Sequence, residues 1–309
     1  LAMSSEKRLK DFKAVSKAEW KQKTIQDLKG ADFDENLYSE LEKGFEVASY
    51  SNQEDLQNLT YLQKYHQQNL NTDVNKEGAR HWYNQPLISV FDAKKANKQA
   101  LEALGSGADA VLFDIQNEKI ELSELLKGIL LEHCFVSFRV QTKPTEFLSQ
   151  YFEYVQGTGT RLAEIKGSLF APLNDFEDLK KRIQITQNTP EFYPIVISEN
   201  SNLESNTQKA ADVLVQSVSV IQNLVKKDLK ADQIINNIQF SVSVDNRYFL
   251  SIAKLKTIKM LFNEVSTAFL ETDATNSSTK IHVFTHIEAE SNHKNMISNS
   301  TQAMSAILG

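Results

Sequence analysis

Five ionisable residues close apolar runs in this sequence: Asp92, Asp114, Glu199, Asp245 and His286. Carboxylates and an imidazole gathered at strand C-termini could act as general acid and base, or hold a divalent ion through oxygen ligands. The competing assignment is structural and weighs more. Asp92 and Asp245 stand where a helix start wants a cap, and ion pairing satisfies the rest. His282 and His286 are four apart in a strand-like run, so both can face one side without forming the adjacent pair that a helix gives. His293 follows in a loop. No third ligand at zinc spacing accompanies them, so no metal site is expected. Neither a Gly-x-Gly-x-x-Gly pattern nor a P-loop is present. Gly157-Thr158-Gly159-Thr160 precedes a strand where a phosphate loop would follow one, which makes it a turn. Lys226, Lys227 and Lys230 beside Asp228 read as a solvated helix end, not a nucleic-acid patch.

The elements that must position these residues repeat. Ile238, Phe240, Val242 and Val244 alternate with Gln239, Ser241, Ser243 and Asp245, the period of a strand. Tyr248, Ile252, Leu255, Ile258, Phe262 and Val265 then recur at three- and four-residue steps, an apolar helical stripe. Upstream, strands are predicted at Leu87–Phe91, Ala110–Phe113, Cys134–Val140, Leu162–Gly167 and Pro194–Ser198. Helices follow at Ala96–Leu104, Leu122–Leu131, Thr145–Val155, Phe176–Ile185 and Thr207–Val225. Ile281–Ile287 with Met296–Leu308 is the last pair. Seven successive βα units with short connections favour a TIM-type (β/α)8 barrel over an open doubly wound sheet. Such a barrel lacks its eighth strand here, and that strand is expected beyond Gly309.

In a barrel the second strand face fills the interior, normally with Val, Ile and Leu. Here it reads polar: Gln239, Ser241 and Ser243; Ser137, Arg139 and Gln141; Glu164 and Lys166; His282, His286 and Glu288. Either the period slips by one residue somewhere, or the interior is a hydrated tunnel or a plug of paired charges. Unpaired buried charge is costly, so Arg139 and Lys166 should find carboxylates such as Glu164, Asp114 or Glu199.

Residues 1–80 form a polar, mostly helical arm ahead of the barrel at 81–309. Phe12, Val15 and Trp20 mark its first turns, and Lys29-Gly30 ends a helix carrying Ile25 and Leu28. Gly44-Phe45-Glu46-Val47 fits a short strand, and Leu56, Leu59, Leu62 and Tyr65 carry no firm period. The arm is too poor in apolar residues for its own core and must lie on the body or on a partner. An apolar share of 41% over 309 residues supports a sizeable core, and a net charge of −6 with interspersed signs points away from nucleic acid. A lone Cys134 fits a reducing, cytoplasmic compartment, and no apolar run is long enough to span a membrane. Leu1-Ala2 ahead of Met3 reads as a cloning remnant.

Several stretches resemble the methylmalonyl-CoA mutase family. Ile238–Phe262, with Ala253-Lys254-Leu255, is similar to the family's sixth βα unit. Thr285-His286, Asn295-Met296-Ile297 and Ser300–Ala306 are similar to its seventh. Trp20, Leu28-Lys29-Gly30, Gly44–Val47 and Tyr50 resemble its N-terminal arm. The resemblance implies the barrel, a complex that interconverts methylmalonyl-CoA and succinyl-CoA by radical rearrangement, and adenosylcobalamin as its cofactor.

Departures from the family pattern imply which chain this is. The catalytic chain's Tyr-Pro-Thr-Met-Tyr segment is replaced by Tyr50-Ser51-Asn52-Gln53-Glu54. Its Gly-Tyr-His-Met-Gln-Glu stretch, with the histidine that faces substrate, is replaced by Ser198-Glu199-Asn200-Ser201-Asn202-Leu203-Glu204. Glu164-Ile165-Lys166-Gly167-Ser168 stands where its fourth strand ends Thr-Ile-Gln-Asn-Asp, and the cobalamin-ligating Asp-x-His-x-x-Gly is missing. The resemblance thus implies the small, non-catalytic subunit, a heterodimer with the catalytic large subunit, and a cofactor carried by that partner. Arg139, Lys166, Glu199, Ser241, Ser243, Asp245 and His286 are the residues expected to line any remnant of a substrate passage. The alternative is a barrel enzyme or an acyl-CoA binding protein with a mouth site at Asp114, Lys166, Glu199 and Asp245.

Overall fold

The computed structural model describes residues 15–62, 82–117, 119–270, 279–285 and 292–309. Phe12, Tyr65, His286, Glu288 and the side chain of His293, all singled out above, lie outside the described residues. The chain separates into two compact units, Leu1–Asn69 and Leu70–Gly309.

In the first unit, Ser16 accepts from the Glu19 amide while Glu19 accepts from the Ser16 amide, a reciprocal cap that starts α1 (Lys17–Asp27). Lys29 and Gly30 take left-handed backbone, φ 51° and 96°, just past the helix end. A short α2 (Phe33–Leu37) leads into the antiparallel hairpin β1 (Tyr38–Glu42) and β2 (Phe45–Ala48), which matches the strand expected at Gly44–Val47. Trp20 stacks on Tyr50 at 4.3 Å and meets Phe33 edge-on at 6.2 Å. No residue of α1, α2, β1 or β2 is fully buried, so ring contacts take the place of a core.

In the second unit every paired strand is parallel to its neighbour, and neighbours follow chain order. One ladder holds β3 (Leu87–Val90), β4 (Ala110–Ile115), β5 (Phe135–Arg139), β6 (Lys166–Phe170) and β7 (Glu191–Tyr193). The other holds β8 (Ile195–Ser198), β9 (Ile238–Val244) and β10 (Lys280–Thr285). β7 and β8 are two pieces of one run split at Pro194, which has no N–H to donate to a ladder. The connecting helices are α3 (Ala93–Gly105), α4 (Leu122–Leu125), α5 (Pro144–Thr158), α6 (Phe176–Ile185), α7 (Asn206–Val225), α8 (Ala231–Ile235), α9 (Tyr248–Leu270) and α10 (Asn292–Leu308). The alternating βα reading therefore holds.

Two local expectations do not. The helix predicted to reach Leu131 stops at Leu125, and Gly128 at φ 78° turns the chain while Leu126, Ile129 and Leu131 remain buried. The strand predicted over Leu162–Gly167 begins only at Lys166, because Leu162–Glu164 forms one 3-10 turn. A Cβ on Gly167 would lie 1.9 Å from the Val136 carbonyl oxygen, so only glycine lets β6 pair this closely beside β5.

Toward the helices the strands bury two apolar clusters. One gathers Val111, Phe113, Val136, Phe138 and Leu169 against α3 and α5, and the other gathers Ile197, Phe240 and Val242 against α7 and α9. The opposite face turns inward. In a flat sheet β5 and β10, four places apart, would be separated by about 19 Å. Instead the Arg139 guanidinium of β5 lies 5.5 Å from the Phe284 ring of β10. The two ladders therefore curl around a common interior.

Candidate functional site

The interior is filled. Leu112, Phe170 and Val196 pack as one layer with Phe284 against it, and Ala110, Phe135 and Tyr193 form another. Among them the small polar side chains expected on this face are buried and paired. Gln85, on the segment leading into β3, donates to the Ser137 hydroxyl at 3.0 Å and to the Val111 carbonyl at 3.2 Å. Ser168 donates to the Gln239 carbonyl oxygen, and Ser241 meets His282 Nδ1 at 3.2 Å. The polar strand face is thus real for Ser137, Gln239, Ser241 and His282. It is neither a slip of register nor an open tunnel, because apolar layers from neighbouring strands share the space.

At the C-terminal ends of β8 and β9 the chain builds a buried ion pair. Glu199 follows Ser198, and its amide still donates to the Ser241 carbonyl at 3.0 Å, which fixes where its carboxylate stands. Lys254, from the second turn of α9, reaches Glu199 Oε2 at 2.5 Å and the Ser243 carbonyl at 3.0 Å. The Ser243 hydroxyl donates to the other carboxylate oxygen, and Lys209 of α7 stands 3.9 Å away. The Lys254 side chain is 1% exposed and that of Glu199 9%. Burial pulls the lysine's pKa down, and the Glu199 carboxylate opposes that shift. Asp245, next along, accepts from Arg247 Nη2 at 2.6 Å and from the Arg247 amide at 2.9 Å. Its burial raises the pKa, but the Arg247 bonds outweigh that and hold the carboxyl below the usual range.

A second group closes the mouth beside β4, β5, β6 and β10. Arg139 stands 3.7 Å from Asp114 and lies near the Phe170 and Phe284 rings at 5.8 and 5.5 Å. His282 meets both rings edge-on, at 5.0 and 4.3 Å. Burial, with Arg139 nearby, lowers its pKa to about 4, so the imidazole is neutral at ordinary pH.

The remaining predicted residues fall elsewhere. Lys166 is the first residue of β6, in register with Phe135 at the start of β5, so it stands at the end opposite Arg139 and Asp114. There it pairs with Glu191 at 3.4 Å and interacts with Tyr83; the burial that would lower its pKa is outweighed by these two, which raise it. Glu164 is outside the interior, bonded to Arg161 on the surface. Of the expected partners, Arg139 finds Asp114, while Glu199 takes Lys254 and Lys209. A four-residue mouth site on Asp114, Lys166, Glu199 and Asp245 is therefore not assembled, because the strand carrying Lys166 starts later than the sequence pattern suggested. Asp92 caps α3 through the Lys95 amide at 2.8 Å, as its position predicts. Among the described residues no cluster of His, Cys, Asp and Glu suits a metal ion.

The sequence profile of the methylmalonyl-CoA mutase family matches residues 115–309. The chain belongs to that family. Among curated proteins it is similar to the methylmalonyl-CoA mutase small subunit of Porphyromonas gingivalis, 24% identical over 341 aligned residues. That alignment covers 100% of this chain and 54% of the relative, so the mutase-family chain spans about half the length of the curated relative it matches. Among solved structures it overlaps a Xanthomonas albilineans dihydropteroate synthase at TM-score 0.32 and 10% identity, covering 73% of this chain and 91% of that one. A Yersinia pestis DHPS overlaps at 0.25 and 10%, covering 71% and 92%. Overlaps this loose carry no weight for function.

Lys254, Lys209, Glu191 and Tyr83 escape a sequence reading of the site. For Lys254 a signal exists: it lies three residues from Ser251 and four from Ile258, inside the stripe that α9 buries.

Proposed function

We propose that this chain is the barrel portion of the small, non-catalytic subunit of an adenosylcobalamin-dependent methylmalonyl-CoA mutase, and that it stabilises the catalytic large subunit. The observation that carries this reading is the filled interior. Leu112, Phe170 and Val196, with the Ser168–Gln239 bond, occupy the path that a thioester passage through the strands would need. Family membership and the likeness to a protein named as a small subunit support it. Chain-ordered parallel strands curled on themselves support a barrel, and one further strand between β10 and β3 would complete it. Adenosylcobalamin belongs on this reading to the partner. His282 agrees, since Ser241 holds one ring nitrogen and Phe170 and Phe284 flank the ring. The first unit, with Leu41, Phe45 and Val47 exposed on its hairpin, suits an arm laid on the large subunit in a cytoplasmic heterodimer.

Co-expression with the large subunit and gel filtration test the proposal. Co-elution of the two chains at micromolar concentration, lost when residues 1–69 are deleted, is the expected result. Separate elution of the intact chains sinks it. An enzyme at the strand mouths has less support, because Lys166 stands at the far end.

A further inference from the structure

The hairpin of the first unit is incomplete in three respects, and one kind of neighbour would remedy all of them. β1 and β2 form a sheet of two strands only, short of the three that give a sheet independent stability. Tyr38 and Ala48, a cross-strand pair, line a cleft beside Trp20, so that face of the hairpin turns toward α1. Phe45 and Val47 alternate with Glu46 and Ala48, which puts them on the outer face, 46% and 37% exposed. On the inner face Glu40 stands directly opposite Glu46 in register, a like-charge pair that weakens the ladder. The Gly44 amide donates to Glu40 at 2.7 Å but brings no charge. Among the described residues no ion pair engages Glu40 or Glu46, since Lys17 and Lys23 of α1 pair with Asp55 and Asp27. Between Asp27 and Asp55 nine carboxylates stand against two lysines, a surplus larger than the −6 of the whole chain.

We infer that the hairpin enters a groove on a partner protein, with an apolar floor under Phe45 and Val47 and a wall of lysine or arginine facing Glu40 and Glu46. One surface of that kind covers the exposed apolar face and neutralises the opposed carboxylates. The inference rests on the subunit reading, in which the partner is the catalytic large subunit, and adds the chemistry of the contact. The negative surplus selects against other occupants. Nucleic acid or an anionic membrane would be repelled by the stretch from Asp27 to Asp55. A second copy of this chain would set one acidic hairpin against another.

Isothermal titration of the full chain into the large subunit tests this. Phe45→Ser should weaken association about tenfold, through lost apolar burial. Glu40→Gln combined with Glu46→Gln should weaken it about as much, while the melting temperature of the chain alone holds or rises, because the opposed charges are gone. Raising salt from about 0.1 M to about 1 M shortens screening from about 10 Å to about 3 Å, and should weaken the unaltered complex more than the double variant. Affinity that is unchanged in either variant, or indifferent to salt, overturns the inference and leaves the subunit proposal standing. A lower melting temperature in the double variant marks a structural role for the two carboxylates and overturns it as well. So does a dimer of this chain alone that Phe45→Ser dissolves. No association of the intact chains overturns both proposals. Should Phe45→Ser fail to fold, the double variant and the salt series decide.

Discussion

Replacing Lys254 by methionine keeps the length of the side chain and removes its charge. The Glu199 carboxylate, 9% exposed, is then left with the Ser243 hydroxyl and with Lys209 at 3.9 Å. Removing one member of a buried ion pair typically costs about 3–5 kcal/mol, because the other charge is stranded. Lys209 still screens Glu199, so the lower end applies, about 3 kcal/mol. For a unit of this size that corresponds to a fall in melting temperature of roughly 6–12 °C. Replacing Glu199 by glutamine in the same protein removes the stranded charge and should recover most of the loss. The double-mutant cycle, read from urea unfolding followed by far-UV circular dichroism, gives a coupling of about 2 kcal/mol or more. Additive losses, or a Lys254→Met protein that unfolds at the unaltered midpoint, would refute the buried-pair argument. The same experiment bears on function: if Glu199 and Lys254 serve one another, neither is free for a substrate.

Two further outcomes are expected. His282 stays neutral in the folded chain down to about pH 4, because it is buried and Arg139 is near, against 6.5 for an ordinary histidine. The unfolded chain takes up that proton first, so its contribution is complete above pH 6.5 and is lost as pH falls toward 4. Partial exposure discounts the full shift to about 2 kcal/mol. Urea midpoints at pH 7 and pH 4.5 should therefore fall further apart in the unaltered protein than in His282→Gln; equal falls would disprove the assignment. Gly167→Ala forces a methyl against the Val136 carbonyl and should cost about 3 kcal/mol or more. A soluble, unshifted thermal melt for that variant would show that β5 and β6 are not as close as described.

The fold was legible where apolar spacing was long and uninterrupted. The stripe of α9 and the alternation of β9 appear in the sequence as they appear in space: α9 buries one face, and β9 turns its apolar residues to the helices and its polar ones to the buried interior. The error at β6 has a specific cause. Leu162, Ala163 and Ile165 look like a strand by side-chain type, while the true strand carries Gly167 and Ser168, poor strand formers selected by tight packing. The site was less legible, because pairing depends on reach across elements. Nothing local joins Arg139 to a ring on β10, or Glu199 to a lysine 55 positions later. Lys254 was hidden by its own chemistry: a charged residue reads as surface until a carboxylate is found to hold it inside.

Pro194 has a further consequence. It interrupts the ladder between β7 and β8, and the two helix-side clusters divide almost at the same place, one reaching Phe192 and the other taking up Ile195. The strand-to-strand hydrogen-bonded ladder therefore stops at that residue, and local opening is expected to start there sooner than within either ladder. If the chain is held by a large subunit, as proposed, it gains from such a seam. The strands on one side of Pro194 could then shift slightly against a partner without breaking a ladder on the other.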